Sequence, residues 1–110
     1  MTTYTVVRFR PKPELEQDFV DKYTSLKREF DGLVKAALMR TADGDYFAVA
    51  EWESEAHLAA ARPAMAGNLA NFRETLQFMG SEPNVTEAFS GTAIYHVPPR
   101  KNDPGAAREE

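Results

Sequence analysis

Trp52 is the only tryptophan of the chain, and it stands where the apolar run Tyr46-Phe-Ala-Val-Ala-Glu51 gives way to Glu53 and a helix-starting Ser54. A large ring at such a junction can line a pocket, stacking on an aromatic molecule and donating its ring N–H. It can equally be a core residue that anchors a helix to a sheet. His57 follows Ser54 by three residues, and a histidine there can act as a general base in a pocket or point outward from a first helical turn. Arg8 alternates with Val6 on an early β-branched run. If their shared face meets helices, a buried guanidinium needs an anionic or phenolate partner, which a substrate could supply. Otherwise Arg8 is an edge or interface residue paired with Glu51 or Glu87. Tyr23, Phe30, Phe72 and Phe78 are core aromatics by default, with a minority available to wall a hydrophobic pocket. His96 reads as a surface or interface residue.

Other chemistries are excluded by composition. The chain has 110 residues, no cysteine, two histidines and a formal charge of -4. Without cysteine there is no disulfide, no thiolate nucleophile and no Cys-ligated metal, and two distant histidines do not make a metal site. The acidic balance argues against nucleic acid, since Arg8, Arg10 and Lys12 are a short alternating set rather than a basic stripe. No Gly-rich loop joins a strand to a helix, so nucleotides have no cradle. No run approaches the roughly 20 apolar residues that cross a bilayer, and Met1-Thr-Thr-Tyr4 has no secretory pattern, so the expectation is a cytoplasmic protein with no membrane partner.

The elements follow from period and punctuation. Residues 4–10 are rich in β-branched and aromatic types and stop at Pro11-Lys-Pro13, which predicts a strand running into a helix. Leu15, Phe19, Tyr23, Leu26 and Phe30 make one apolar stripe, closed by Asp31-Gly32. Residues 33–41 and 46–52 form a hairpin across Ala42-Asp-Gly-Asp45. Ser54 caps a short helix over 55–62, and Pro63 separates it from a second helical stretch in which Met65, Leu69, Phe72, Leu76 and Met79 keep the helical period. Residues 85–97 form the last strand, bulged at Gly91. The order predicts an α+β, ferredoxin-like βαββαβ domain over 1–97, one antiparallel sheet with helices on one face, and a flexible tail over 98–110. Both alternating sets of strand residues are apolar, so the uncovered face predicts a homodimer with sheets packed face to face.

With that order in place, Tyr46 to Ser54, the Asp31-Gly32 junction and the strand-to-helix segment from Tyr4 to Pro13 resemble the antibiotic biosynthesis monooxygenase-like family of dimeric α+β barrel proteins. The resemblance covers roughly residues 4–96. It implies a homodimer with one pocket per subunit between the sheet and its own helices. It also implies oxidation of phenolic aromatics to quinones by molecular oxygen without metal or flavin, although related members degrade haem. Trp52 matches the tryptophan that lines the family's pocket, while Ala48 and Val6 occupy positions that often hold an asparagine. The expectation is therefore a cofactor-independent monooxygenase acting on a small electron-rich aromatic or phenolic compound. Trp52, His57 and Arg8 would be its acting residues, with Val6, Tyr23, Ala48, Ala50, Trp52 and Phe72 against the substrate, and no metal or other cofactor. The competing expectation is a non-catalytic dimer that binds a small hydrophobic ligand or assists another enzyme, with haem binding through His57 as a third.

Overall fold

The computed structural model describes residues 1–99, so the part of the predicted tail from residue 100 onward lies outside the described residues. Four strands, β1 (Thr3–Phe9), β2 (Leu33–Arg40), β3 (Tyr46–Trp52) and β4 (Thr86–Thr92), form one antiparallel sheet in the order β2-β3-β1-β4. Two helices, α1 (Glu16–Thr24) and α2 (Glu55–Leu69), accompany it in the predicted α+β, ferredoxin-like arrangement. Gly44 turns the β2–β3 hairpin with φ +90°, a backbone conformation that favours a residue without Cβ.

Register settles which face meets the helices. Thr3, Thr5, Val7 and Phe9 of β1 lie opposite Trp52, Ala50, Ala48 and Tyr46 of β3, and the buried ends of these rows belong to the core. Phe9, Phe19, Tyr46, Phe72, Leu76 and Val85 form one buried cluster, with Trp52, Leu58 and Ala61 forming another. Phe9, Phe19, Tyr23, Tyr46 and Phe72 interlock with ring centroids 5.0–5.8 Å apart, mostly tilted or edge-on as the ring quadrupoles prefer. The opposite face carries Val6, Ala37, Met39, Phe47, Val49 and Phe89 and has no helix over it among the described residues, leaving Phe89 65% and Met39 49% exposed.

Four expectations on the elements change. The first helix ends at Thr24, well short of Gly32, because the Thr24 and Ser25 hydroxyls donate to the Val20 and Lys22 carbonyls and divert the chain from helix. Leu26 and Phe30 therefore sit in a connecting loop. Pro63 does not split α2, which runs through it. Pro63 and Ala59, whose carbonyl loses its donor, both lie on the exposed side where water can compensate. The apolar period over 72–79 does not make a helix either. After a turn closed by Asn71 N–H on the Asn68 carbonyl, a 3-10 turn at Arg73–Thr75 leads into extended chain, and Leu76 bridges to Pro11. Phe72, Leu76 and Met79 are buried all the same. Finally, β4 stops at Thr92 with Gly91 in regular register opposite Tyr4, and the bulge lies in β2 between Leu33 and Lys35.

One end of the uncovered face is tied by ions. Asp45 accepts from Arg8 Nη2 at 2.6 Å and Arg8 Nε at 3.0 Å, and from Arg10 Nε at 2.8 Å, while Arg8 Nη1 reaches Glu87 at 2.9 Å. Hydrogen bonding from Arg10 holds the Asp45 carboxyl below its usual range. Burial opposes that shift and Arg8 reinforces it. A carboxyl depressed in the folded state stabilises fully above its unfolded value, near 3.9, and loses that contribution as pH falls through the folded value. Thermal unfolding followed from pH 7 downward should show the melting temperature falling below about pH 4. Asp45→Asn should melt lower at pH 7 and show a shallower acid dependence, whereas an unchanged slope would assign the acid lability to other carboxylates.

Candidate ligand cavity

The residues on the helix-facing side of the sheet come in four rows. Leu33, Trp52, Thr3 and Thr92 form one end row, and Arg40, Tyr46, Phe9 and Thr86 form the other. Between them lie Ala36, Ala50, Thr5 and Ser90, then Leu38, Ala48, Val7 and Ala88. Bulky side chains at the ends hold the helices off, and the small ones between cannot fill the space below. The result is a cavity of about 310 Å³ floored by Thr5, Val7, Ala48 and Ala50. Met65 and Leu69 of α2, together with Phe72, roof it, and Tyr23, Arg28 and Phe30 close a side. This volume is near the lower end of ligand pockets, enough for a molecule of a few rings.

Trp52 is only 1% exposed and forms part of the wall. Its Nε1–H donates to Thr5 Oγ1 at 3.2 Å, and Phe30 lies 6.0 Å away ring to ring. The indole N–H thus has a partner within the protein, so what Trp52 offers a ligand is ring surface, together with a fixed orientation. Of the residues expected to contact a substrate, Tyr23, Ala48, Ala50, Trp52 and Phe72 meet around this one cavity.

Val6, Arg8 and His57 are elsewhere. Because Thr5 and Val7 face the helices, strand alternation sends Val6 and Arg8 to the uncovered face, where Arg8 is tied to Asp45 and Glu87. His57 sits on the outer side of the α2 start. Ser54 Oγ accepts the His57 backbone N–H at 3.2 Å and lies 2.7 Å from Nδ1, while Nε2 stands 3.9 Å from Glu53. The imidazole lines a separate, shallower depression with Glu29, Asp31 and Ala60. That location corrects the expectation of His57 as a base inside the pocket. Its closest constraint is Gly32, where a Cβ would come within 2.3 Å of the ring.

Arg28, Met65, Asn68 and Leu69 also line the cavity and were not singled out as site residues. Met65 and Leu69 carried a signal, the helical period, but it reads as core. Arg28 carried none, since its loop is where a continuous helix was expected. Neither histidine nor carboxylate lines the cavity, and among the described residues no group of three or more His, Cys, Asp or Glu could hold a metal. Nor is any helix among the described residues long and apolar enough to cross a membrane.

The profile described as antibiotic biosynthesis monooxygenase matches residues 2–65, more than half of the chain. The chain belongs to that family. Among solved structures, the fold is similar to a monooxygenase from the gene ActVA-Orf6 of Streptomyces coelicolor in complex with nanaomycin D. That match has 23% identity and a TM-score of 0.67, covering 89% of this chain and 92% of that one. It is similar also to SnoaB, a cofactor-independent oxygenase from Streptomyces nogalater, at 19% identity and TM-score 0.64 for a mutant form, covering 88% of this chain and 97% of that one. A third similar structure is Rv0793 from Mycobacterium tuberculosis, with 18% identity, TM-score 0.67 and coverage of 89% and 100%. No curated protein matches the chain in sequence.

Gly32 and Gly44 both have positive φ, at +83° and +90°, but only Gly32 is pressed by a side chain; the nearest atom to a Cβ at Gly44 is Arg40 Nη2 at 3.9 Å. Gly44→Ala should therefore lose about 1 kcal/mol from the left-handed conformation alone. Gly32→Ala should lose about 2–4 kcal/mol, because the clash with His57 adds to it. Urea unfolding of the two variants measures the difference, and equal losses would mean that the Gly32 backbone and the start of α2 move apart at no cost, since the His57 Cβ, 2.5 Å from the added atom, does not turn with the ring.

Proposed function

We propose that this protein is a cofactor-independent monooxygenase that oxidises a small electron-rich aromatic or phenolic compound with molecular oxygen. The observation that carries this reading is the half-open, largely apolar cavity walled by the rings of Trp52, Phe30, Tyr23 and Phe72. Family membership supports the reaction class, and similarity to a monooxygenase described in complex with nanaomycin D supports a multi-ring ligand. In such a reaction the ionised substrate gives electrons to oxygen. One oxygen atom becomes a new ring carbonyl, and the other leaves as water with the two hydrogens lost from the substrate. The chain's part is to orient the ring plane against Trp52 and to exclude water from the electron-rich anion.

The working unit on this reading is a homodimer joined through the uncovered sheet face, since Val6, Val49, Phe47 and Phe89 form an apolar patch that a second copy can bury. Ion pairs of Arg8 and Arg10 with Asp45 would then border the interface.

A second reading, a non-catalytic dimer that binds an aromatic ligand, is favoured by one observation: among the described residues no histidine or carboxylate lines the cavity to take the substrate's proton.

Purified protein incubated with anthrones, naphthols and quinols under ¹⁸O₂, with no added metal or flavin, should consume oxygen and give a quinone bearing one labelled atom. Trp52→Phe should lower the rate about tenfold or more by loosening substrate orientation. A rate equal to wild type removes Trp52 from the mechanism, and tight binding without labelled product favours the non-catalytic reading. Light scattering should give twice the 12.3 kDa mass of one chain, shifting toward a single mass in Phe89→Asp. A wild-type monomer would overturn the dimer.

A further inference from the structure

The cavity has a sign. In a chain of net charge -4, its lining among the described residues includes two arginines, Arg28 and Arg62, and no acidic residue. The two differ in situation. Arg62 is exposed near the mouth and contacts Ser90 Oγ at 3.4 Å. Arg28, in the loop between α1 and β2, is partly buried and lies flat on Tyr23, its Cζ 3.8 Å from the ring centroid. Its Nη1 is buried and has no hydrogen-bond partner among the described residues. Three other arginines find carboxylates, Arg8 and Arg10 sharing Asp45 and Arg40 meeting Glu16 at 2.5 Å, and Arg73 donates to the Pro83 carbonyl. Among the described residues no carboxylate pairs with Arg28.

A guanidinium held partly out of water with one N–H unmatched is unfavourable unless an acceptor offsets the cost, and the part of Arg28 that lines the cavity is where a ligand can bring one. The acceptor that suits it best is an anionic oxygen, which a planar fork can bind through charge-assisted hydrogen bonds. Stacking on Tyr23 fixes the fork before the ligand arrives, so little side-chain freedom is lost on binding. We propose that Arg28 is the anion-recognising residue of the cavity, and that the ligand is an aromatic acid whose carboxylate or acidic phenolate oxygen meets Arg28 while its rings lie along the apolar wall. Arg28 takes the role that sequence reasoning gave to Arg8. The inference rests on the reading of the cavity as an aromatic-ligand site, and not on oxygen chemistry.

Calorimetric titration at pH 7 tests it with three probes of similar shape: 1-naphthoate, its neutral isostere 1-naphthamide, and a nitronaphthol that is ionised at that pH. Naphthoate should bind at least about tenfold more tightly than naphthamide, as charge-assisted hydrogen bonds to a buried donor require. Arg28→Met should abolish that preference, and Arg28→Lys should restore part of it. The nitronaphtholate arm separates the sources: a preference shared by both anions points to any acidic oxygen, and one confined to naphthoate points to a carboxylate. Melting curves and the near-ultraviolet spectrum of each variant establish that it folds, and naphthamide binding confirms that the cavity is intact. Equal affinities of acid and amide for the wild-type protein would overturn the proposal while leaving an aromatic-binding cavity. A preference that survives Arg28→Met would overturn it in favour of Arg62. Binding of none of the three would overturn this inference and the aromatic-ligand reading together, whereas acid-selective binding without oxygen uptake would overturn only the oxygenase.

Discussion

A sheet face with bulk at both ends and small side chains between cannot be sealed by helices that rest on the ends. Phe9 and Tyr46 support one side and Trp52 the other, each buried among helix residues such as Phe19 and Leu58. Ala36, Ala48, Ala50, Thr5 and Ala88 between them are too short to reach what lies above. Close packing is the rule inside proteins, and filling this gap would need only larger residues in the middle rows. The same rows explain why Trp52 is both a support and a wall. It holds α2 through Leu58 and Ala61, its N–H is secured by Thr5, and the ring contributes to the cavity lining. The two roles weighed for it in the sequence are therefore compatible, because the core and the cavity share a boundary.

The opposite face obeys a different constraint. An apolar set at Val6, Ala37, Phe47, Val49 and Phe89 has no covering element among the described residues. Beside it, Arg8, Arg10, Asp45 and Glu87 satisfy one another and need nothing from outside. An ionic cluster that is already paired at one end of an apolar centre suits association with an identical surface, since those four charges need no new partners when two copies meet.

How much of this was legible in the sequence depended on whether the signal was local. The β2–β3 hairpin, Gly44 at its turn and Ser54 as the α2 cap are fixed by neighbours within a few residues, and they stand as expected. The ferredoxin-like order followed from them. What failed was length. An apolar period of three or four marks buried positions, and extended chain that returns to the same core buries them equally well, as Leu76 and Met79 do. Hydroxyls at Thr24 and Ser25 ended α1 early, and exposed backbone let α2 pass Pro63. Faces failed for another reason. Alternation divides a strand into two sets without saying which is inside, and here both sets were apolar, so Arg8 and Val6 fell opposite to the cavity for want of any symmetry-breaking residue. His57 was near Trp52 in sequence but one helical turn placed it against Gly32 on the outer surface.

The early end of α1 has a consequence for chemistry. Had the helix continued to Gly32, Arg28 would have ridden a regular helical face with Lys27 and Glu29 as neighbours. Instead the loop lets its guanidinium settle on Tyr23, one turn from the end of a helix whose inner face holds the core aromatics. A cavity with a fixed cation and no base treats its ligands unequally: it favours those that have already lost a proton, because the field that attracts the anion also lowers the free energy of ionising the neutral form. Proton removal then need not fall to a side chain at all. The same arrangement would serve a binding protein for aromatic acids, so what separates enzyme from carrier here is whether oxygen can reach the ring once the anion is seated.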